Sequence, residues 1–245
     1  MATTPLPVLS TATFGNDRKL IDVYRPGDVP QDLLPVVLMW HGLGPDERDV
    51  LRPLAEETAK RGAIVYASDW RSDASDGGRG HLLESIRFVR ADAASRGGDA
   101  GRFVLAGWSA GAGAAMGVAL RPELVDGWKP SAVVGIAGHY GLPARTTGDT
   151  PLDDLTRSSA RPVPVRLVHG SGDVVLDAQN SRDFLAALEG ASWRAHLDEV
   201  ATDHAGVIMT EYDPMLERCV RTSSEAALRG GRTTARSILH AAGNC

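Results

Sequence analysis

Apolar positions along the chain fall into two alternating patterns, short continuous runs and longer stretches at helical spacing. Residues 11–24 alternate loosely and end in Leu20-Ile21-Asp22-Val23-Tyr24-Arg25-Pro26, which reads as a strand stopped by proline. The run Val36-Val37-Leu38-Met39-Trp40 is unbroken, as expected of a strand buried on both faces. It stops at His41-Gly42-Leu43-Gly44-Pro45. Asp46 then opens a helical pattern with Val50, Leu51, Leu54 and Ala55, closed by Arg61-Gly62. Residues 63–68 read as the next strand, and the polar, glycine-rich residues 69–80 as a loop.

The alternation continues to the end. Leu82, Leu83, Ile86, Val89 and Ala93 mark a helix over residues 81–96, stopped by Gly97-Gly98. Strands are expected at 102–106, 132–137, 163–168 and 192–197. Helices are expected at 109–120, at 178–188 and over much of 213–242. This order predicts an α/β protein with one open, mostly parallel sheet and helices on both faces. No composition break or linker divides it, so residues 1–245 are expected to form a single domain. Residues 141–162 are the least regular piece, rich in Pro, Thr, Asp and Arg, and are expected to form a short lid or loop insertion.

Composition narrows the function classes. The chain has 245 residues, 43% hydrophobic and 23% charged, with a formal charge of -5 and no basic run. A nucleic-acid or anionic-membrane partner is therefore not expected. No segment has the ~18 apolar residues of a membrane span. Residues 1–10 lack the basic start and apolar core of a signal peptide, which suggests a cytoplasmic protein and equally fits a mature secreted one. Cys219, in a stretch read as helical, and Cys245 could form a bridge or remain one half-buried and one terminal thiol.

The chemistry centres on Gly107-Trp108-Ser109-Ala110-Gly111. A bare G-x-S-x-G arises readily by chance, and its context carries the weight here. The strand Phe103-Val104-Leu105-Ala106 precedes it and a helix of small residues follows. A serine on such a sharp turn sits in a strained conformation, and Gly107 and Gly111 remove side chains that would collide with neighbouring elements. The helix behind it directs N–H groups at developing negative charge.

Such a serine needs a histidine to take its proton and an acid to orient that histidine, following in the chain order acid, then histidine. Asp173 follows a strand in His169-Gly170-Ser171-Gly172-Asp173. His204 follows another through the loop 198–203. Both then emerge on the sheet edge that bears Ser109. Asp177 is the rival acid, with an N-cap role as its ordinary reading. Asp198 and Asp203 lie on the histidine's own loop. His41 and His169 end strands in His-Gly pairs and read as structural. His81, His139, His196 and His240 fit neither the order nor the loop. Backbone N–H groups of Leu43 and Ala110 are the candidate oxyanion hole.

With these pieces in place, the sequence resembles the α/β-hydrolase superfamily, particularly its carboxylesterase branch. The carriers are Leu20 to Tyr24, His41-Gly42-Leu43-Gly44, the Ser109 pentapeptide, His169 to Asp173, and Asp203-His204, spanning about residues 15–210. The resemblance implies the α/β-hydrolase fold and a serine esterase acting on small-molecule esters, without cofactor or metal. Two departures matter. Leu43 stands where many relatives carry a glycine, which is expected to narrow the acyl pocket. The interval from Ser109 to Asp173 is short, so a reduced lid and an open site are expected rather than a lipase's.

The same three residues would serve an amidase, a peptidase or a polysaccharide deacylase, and a non-catalytic binding protein could share the fold. Trp70, Trp108, His139 and Tyr140 are candidates for lining the pocket, against an ordinary reading as core or rim. His41, His81 and His139 show no metal-ligand spacing.

Overall fold

The structure is a computed structural model that describes residues 7–27 and 32–243. Eight strands form one sheet: β1 (Val8–Phe14), β2 (Lys19–Arg25), β3 (Leu34–Trp40), β4 (Ile64–Ser68), β5 (Gly98–Trp108), β6 (Ala132–Ile136), β7 (Val165–Gly170) and β8 (Ala195–Val200). Their order across the sheet is β1-β2-β4-β3-β5-β6-β7-β8. β1 pairs antiparallel with β2, and β2 with β4. Every other pairing is parallel. The loosely alternating segment 11–24 is thus two strands, joined by a turn in which Arg18 N–H donates to the Gly15 carbonyl.

The helices are α1 (Arg52–Lys60), α2 (Arg79–Asp92), α3 (Ala110–Leu120), α4 (Pro151–Arg157), α5 (Gln179–Gly190) and α6 (Glu225–Ala241). The apolar run in β3 explains how they are arranged. Successive strand side chains point to opposite faces, so Val36, Leu38 and Trp40 join one core with Ile86 of α2, Val118 of α3 and Phe184 of α5. Val37 and Met39 join another with Leu54 of α1 and Ile238 of α6. The helices cover both faces of the sheet, as the alternation predicts.

The last strand of the sheet runs Ala195–Val200 rather than 192–197, so Asp198 lies within it and not on the loop before His204. One expected helix is also shortened. The helix expected over much of residues 213–242 occupies only Glu225–Ala241. Ahead of it lies a small hairpin, β9 (Thr210–Asp213) and β10 (Arg218–Arg221), and Cys219 sits in its second strand. Pro214 removes a donor and the Asp213 carboxylate accepts from the N–H groups of Met215 and Leu216, which makes a turn where helix was expected. Cys245 lies outside the described residues, and with it the bridge considered above. Within residues 141–162, α4 is the one regular element. Among the described residues, no helix is long and apolar enough to cross a membrane.

Candidate active site

Ser109 caps the carboxyl end of β5 at the turn into α3. Its φ of 55° and ψ of -120° are strained for a residue with a side chain, costing on the order of 1–3 kcal/mol. The neighbours enforce that conformation. Ser109 N–H donates to the Ile136 carbonyl at 2.8 Å. A Cβ on Gly107 would lie 2.0 Å from the Gly111 carbonyl oxygen, and one on Gly111 would lie 2.6 Å from the carbonyls of Trp40 and His41. The chain can turn this sharply only because both positions lack side chains.

The loop after β3 packs directly onto this turn: a Cβ on Gly42 would lie 3.4 Å from the Ser109 Cβ. His41, fully buried, fixes the loop from behind. Its Nδ1 hydrogen bonds the Gly42 carbonyl at 3.0 Å, so the proton is on Nδ1. Nε2 then accepts from the N–H groups of Trp70 at 3.2 Å and Glu47 at 3.3 Å. Burial lowers the His41 pKa to about 4, which keeps this tautomer neutral.

Asp173 and His204 meet across the ends of β7 and β8, with His204 Nδ1 2.6 Å from Asp173 Oδ2. The loops carrying them are stitched together. Ser171 N–H donates to the Val200 carbonyl and Gly172 N–H to that of Thr202. A Cβ on Gly170 would lie 2.5 Å from the latter oxygen. The Asp173 side chain is fully shielded. Burial pushes its carboxyl up. Hydrogen bonds from His169, His204 and the Leu176 N–H outweigh that and hold it far below the usual carboxylate range.

The rival acids are engaged elsewhere. Asp177 accepts from the Gln179 N–H at the entry to α5, Asp203 from the Gly206 N–H, and Asp198 from the Ser237 hydroxyl. His169 does more than end its strand: Nε2 lies 2.9 Å from the Leu176 carbonyl and 3.3 Å from Asp173 Oδ2. Its i,i+4 relation to Asp173 is the sequence signal for that contact.

Two cavities open on Ser109. The larger, about 730 Å³, also takes in Leu43, Ala110, His139, Leu142, Arg145 and Val175. The smaller, about 420 Å³, takes in Leu43, Trp108, Val174, Tyr212, Cys219 and His204. Leu43 is half-exposed and stands on the wall common to both. The pocket expectations divide. His139 and Trp108 line cavities, and the Trp108 indole N–H also donates to the His204 carbonyl at 2.9 Å. Trp70 and Tyr140 line neither cavity. Trp70 is buried and stacks on His41, whereas Tyr140 is buried and stacks on Phe184. Arg145, Tyr212 and Cys219 are wall residues that the sequence pattern does not single out.

Esterase 2 of the planctomycete Thermogutta terrifontis, with propionate bound, superposes with a TM-score of 0.74 at 19% identity. The match covers 98% of this chain and 96% of that one. The same enzyme phosphorylated by paraoxon gives 0.75 at 19% identity, covering 99% and 96%. An esterase of Pyrobaculum calidifontis gives 0.68 at 19% identity, covering 96% and 86%. No curated protein matches the chain. A family model described as alpha/beta hydrolase fold matches residues 80–241, well over half of the sequence. The chain therefore belongs to the α/β-hydrolase fold family.

Proposed function

We propose that the protein is a serine esterase acting on small or medium carboxylic esters through an acyl-enzyme on Ser109. The observation that carries this reading is the 2.6 Å contact between His204 Nδ1 and Asp173 beside a strained, cavity-lining serine. With Nδ1 committed to the carboxylate, Nε2 is the nitrogen left to accept the Ser109 proton.

Ser109 Oγ attacks the ester carbonyl carbon while its proton passes to His204 Nε2. The carbonyl oxygen becomes an oxyanion, held by the N–H groups of Leu43 and Ala110; each such donor contributes about 10²–10³ in rate. Collapse breaks the bond to the alcohol oxygen, which leaves with the proton from His204. Water then repeats the sequence on the acyl-enzyme and releases the acid. Asp173, ionised throughout, holds the imidazole in the required tautomer and stabilises its charged form.

The protonating histidine must stand beside the departing oxygen. That assigns the alcohol to the smaller cavity, where His204 sits, and the acyl chain to the larger one beside Ala110. Esterase 2 of T. terrifontis, seen with propionate and as a paraoxon adduct, supports a small acyl group and an activated nucleophile here.

The test is hydrolysis of a chromogenic short-chain ester, with paraoxon labelling located by mass spectrometry. Ser109→Ala is expected to lower kcat by about 10⁴–10⁶ and to abolish labelling. Undiminished hydrolysis by that variant overturns the assignment.

A further inference from the structure

We propose that Arg145 is a substrate-recognition residue, and that the preferred substrates are monoesters whose acyl chain ends in a carboxylate. This rests on the esterase reading above, which puts the acyl chain in the larger cavity.

That cavity is mainly apolar, with walls that include Leu43, Leu142, Pro143 and Val175. Two formally charged side chains line it, Asp76 and Arg145. They differ in what they have left to offer. The Asp76 carboxylate is used internally, one oxygen accepting from the Gly78 N–H at 2.9 Å and the other from the Gly80 N–H at 2.7 Å. The Arg145 guanidinium has no hydrogen bond or ion pair among the described residues. It extends toward the loop opposite, where a Cβ on Gly77 would lie 3.5 Å from one of its Nη atoms. A half-buried guanidinium carries five donors in a planar fork suited to a carboxylate. Its side chain is partly exposed and none of its nitrogens is buried without a partner, so water solvates the fork until an anion replaces that water.

Arg145 is also fixed relative to the nucleophile. Its neighbours Ala144 and Thr146 are buried. The Thr146 hydroxyl donates to the Ala114 carbonyl at 2.8 Å, which bolts the segment to α3, the helix that follows Ser109. A Cβ on Gly117 of that helix would lie 2.5 Å from the Thr146 Oγ1, so the close approach depends on glycine. The Ala144 carbonyl accepts from the Gly148 N–H, and the Ala144 N–H donates to the Asp149 carbonyl, closing the loop on itself. The backbone that bears Arg145 is thus anchored to the helix behind Ser109, so the reach of its side chain bounds the length of the acyl chain as well as its charge.

The experiment compares monoethyl esters of the unbranched α,ω-diacids of four to eight carbons with ethyl esters of monoacids of equal length. Acid release is followed by pH-stat. The wild type is expected to favour one or two diacid lengths over their neutral partners by about 10- to 100-fold in kcat/KM, an advantage carried by a charged hydrogen bond. The advantage should shrink as salt is raised. Arg145→Met is expected to abolish the preference ratio, and Arg145→Lys to retain part of it. Arg229→Gln, on the exposed face of α6, removes one positive charge far from this cavity and should leave the ratio in place. Hydrolysis of neutral esters through Ser109 with a ratio near one, indifferent to Arg145→Met, overturns this inference and leaves the esterase reading standing. Failure to hydrolyse either series overturns both.

Discussion

His169 and His204 share one oxygen of Asp173, at 3.3 Å and 2.6 Å respectively. The two histidines have opposite hydrogen-bonding duties. His169 faces the Leu176 carbonyl, which can only accept, so its Nε2 carries a proton and its Nδ1 accepts from the Ser181 hydroxyl. It is a fixed donor that keeps the carboxylate ionised and aimed. His204 uses its Nδ1–H on the same oxygen, and in the proposed mechanism its Nε2 takes and returns the proton. One carboxylate oxygen therefore faces two histidines, one through Nε2 and one through Nδ1.

That division predicts different mutational effects on the proposed mechanism. Asp173→Asn keeps the shape but presents the wrong tautomer of His204, and is expected to lower kcat by about 10⁴. His169→Leu removes a supporting hydrogen bond worth about 1–1.5 kcal/mol, roughly tenfold in kcat, with KM little changed. His169→Gln retains a donor and should recover part of the loss. Steady-state kinetics of the three variants test this. A His169→Leu effect confined to KM would contradict the positioning role.

His41 predicts an acid-sensitive loop. Its imidazole charges near pH 4 in the folded chain and near 6.5 when unfolded, because burial disfavours the cation. On acidification the unfolded chain takes up the proton first. The stabilisation is thus complete above pH 6.5, falls as pH drops toward 4, and does not change below that. The loss amounts to about 2 kcal/mol at pH 5. Urea unfolding at pH 7 and pH 5 should show this difference in the wild type beyond that in His41→Gln, in which position 41 no longer titrates. Equal slopes in the two proteins would refute it.

Most of this architecture is legible in the sequence because the signals are local. The unbroken run in β3 announces a strand buried on both faces, and the glycines around Ser109 announce a tight turn. The order of Ser109, Asp173 and His204 then places all three on one sheet edge. What escapes is set by distant partners. The hairpin of β9 and β10 has four-residue strands, too short for periodicity to register. Its Arg218 and Arg221 form exposed ion pairs with Asp49 and Glu56, residues far away in the chain. Tyr140 and Trp70 look the same in sequence whether they face a pocket or a core. The packing of Phe184 and His41 against them decides. Arg145 is one more arginine until Thr146 is seen anchored to α3.

The turn at Ser109 predicts a sharp contrast between glycines. Gly107→Ala forces a Cβ against the Gly111 backbone, which cannot move without unseating Ser109. A loss of about 3 kcal/mol or more is expected, at the upper end of overpacking costs. Gly190, the last residue of α5, has open space around its Cβ position and no positive φ. Gly190→Ala is expected to be neutral or to raise stability by up to about 1 kcal/mol. Thermal and urea unfolding of the two variants check both signs. A mild Gly107→Ala would mean that the turn is far more plastic than its contacts imply.

Trp108 joins Ser109 to His204, preceding Ser109 in the chain while its indole N–H donates to the His204 carbonyl at 2.9 Å. Its ring also lies against the His204 imidazole, with centroids 5.1 Å apart, and forms a wall of the smaller cavity. Trp108→Phe keeps an aromatic wall but leaves that carbonyl without its donor, a loss of about 1–3 kcal/mol in a partly buried site. The histidine loop should then loosen, and hydrogen exchange of residues 201–206 should quicken. If anchoring His204 is the larger role, kcat falls by about tenfold to the same extent for esters of methanol, butanol and benzyl alcohol. A decline graded by alcohol size, with hydrogen exchange unchanged, would instead make Trp108 a wall of the alcohol pocket and nothing more.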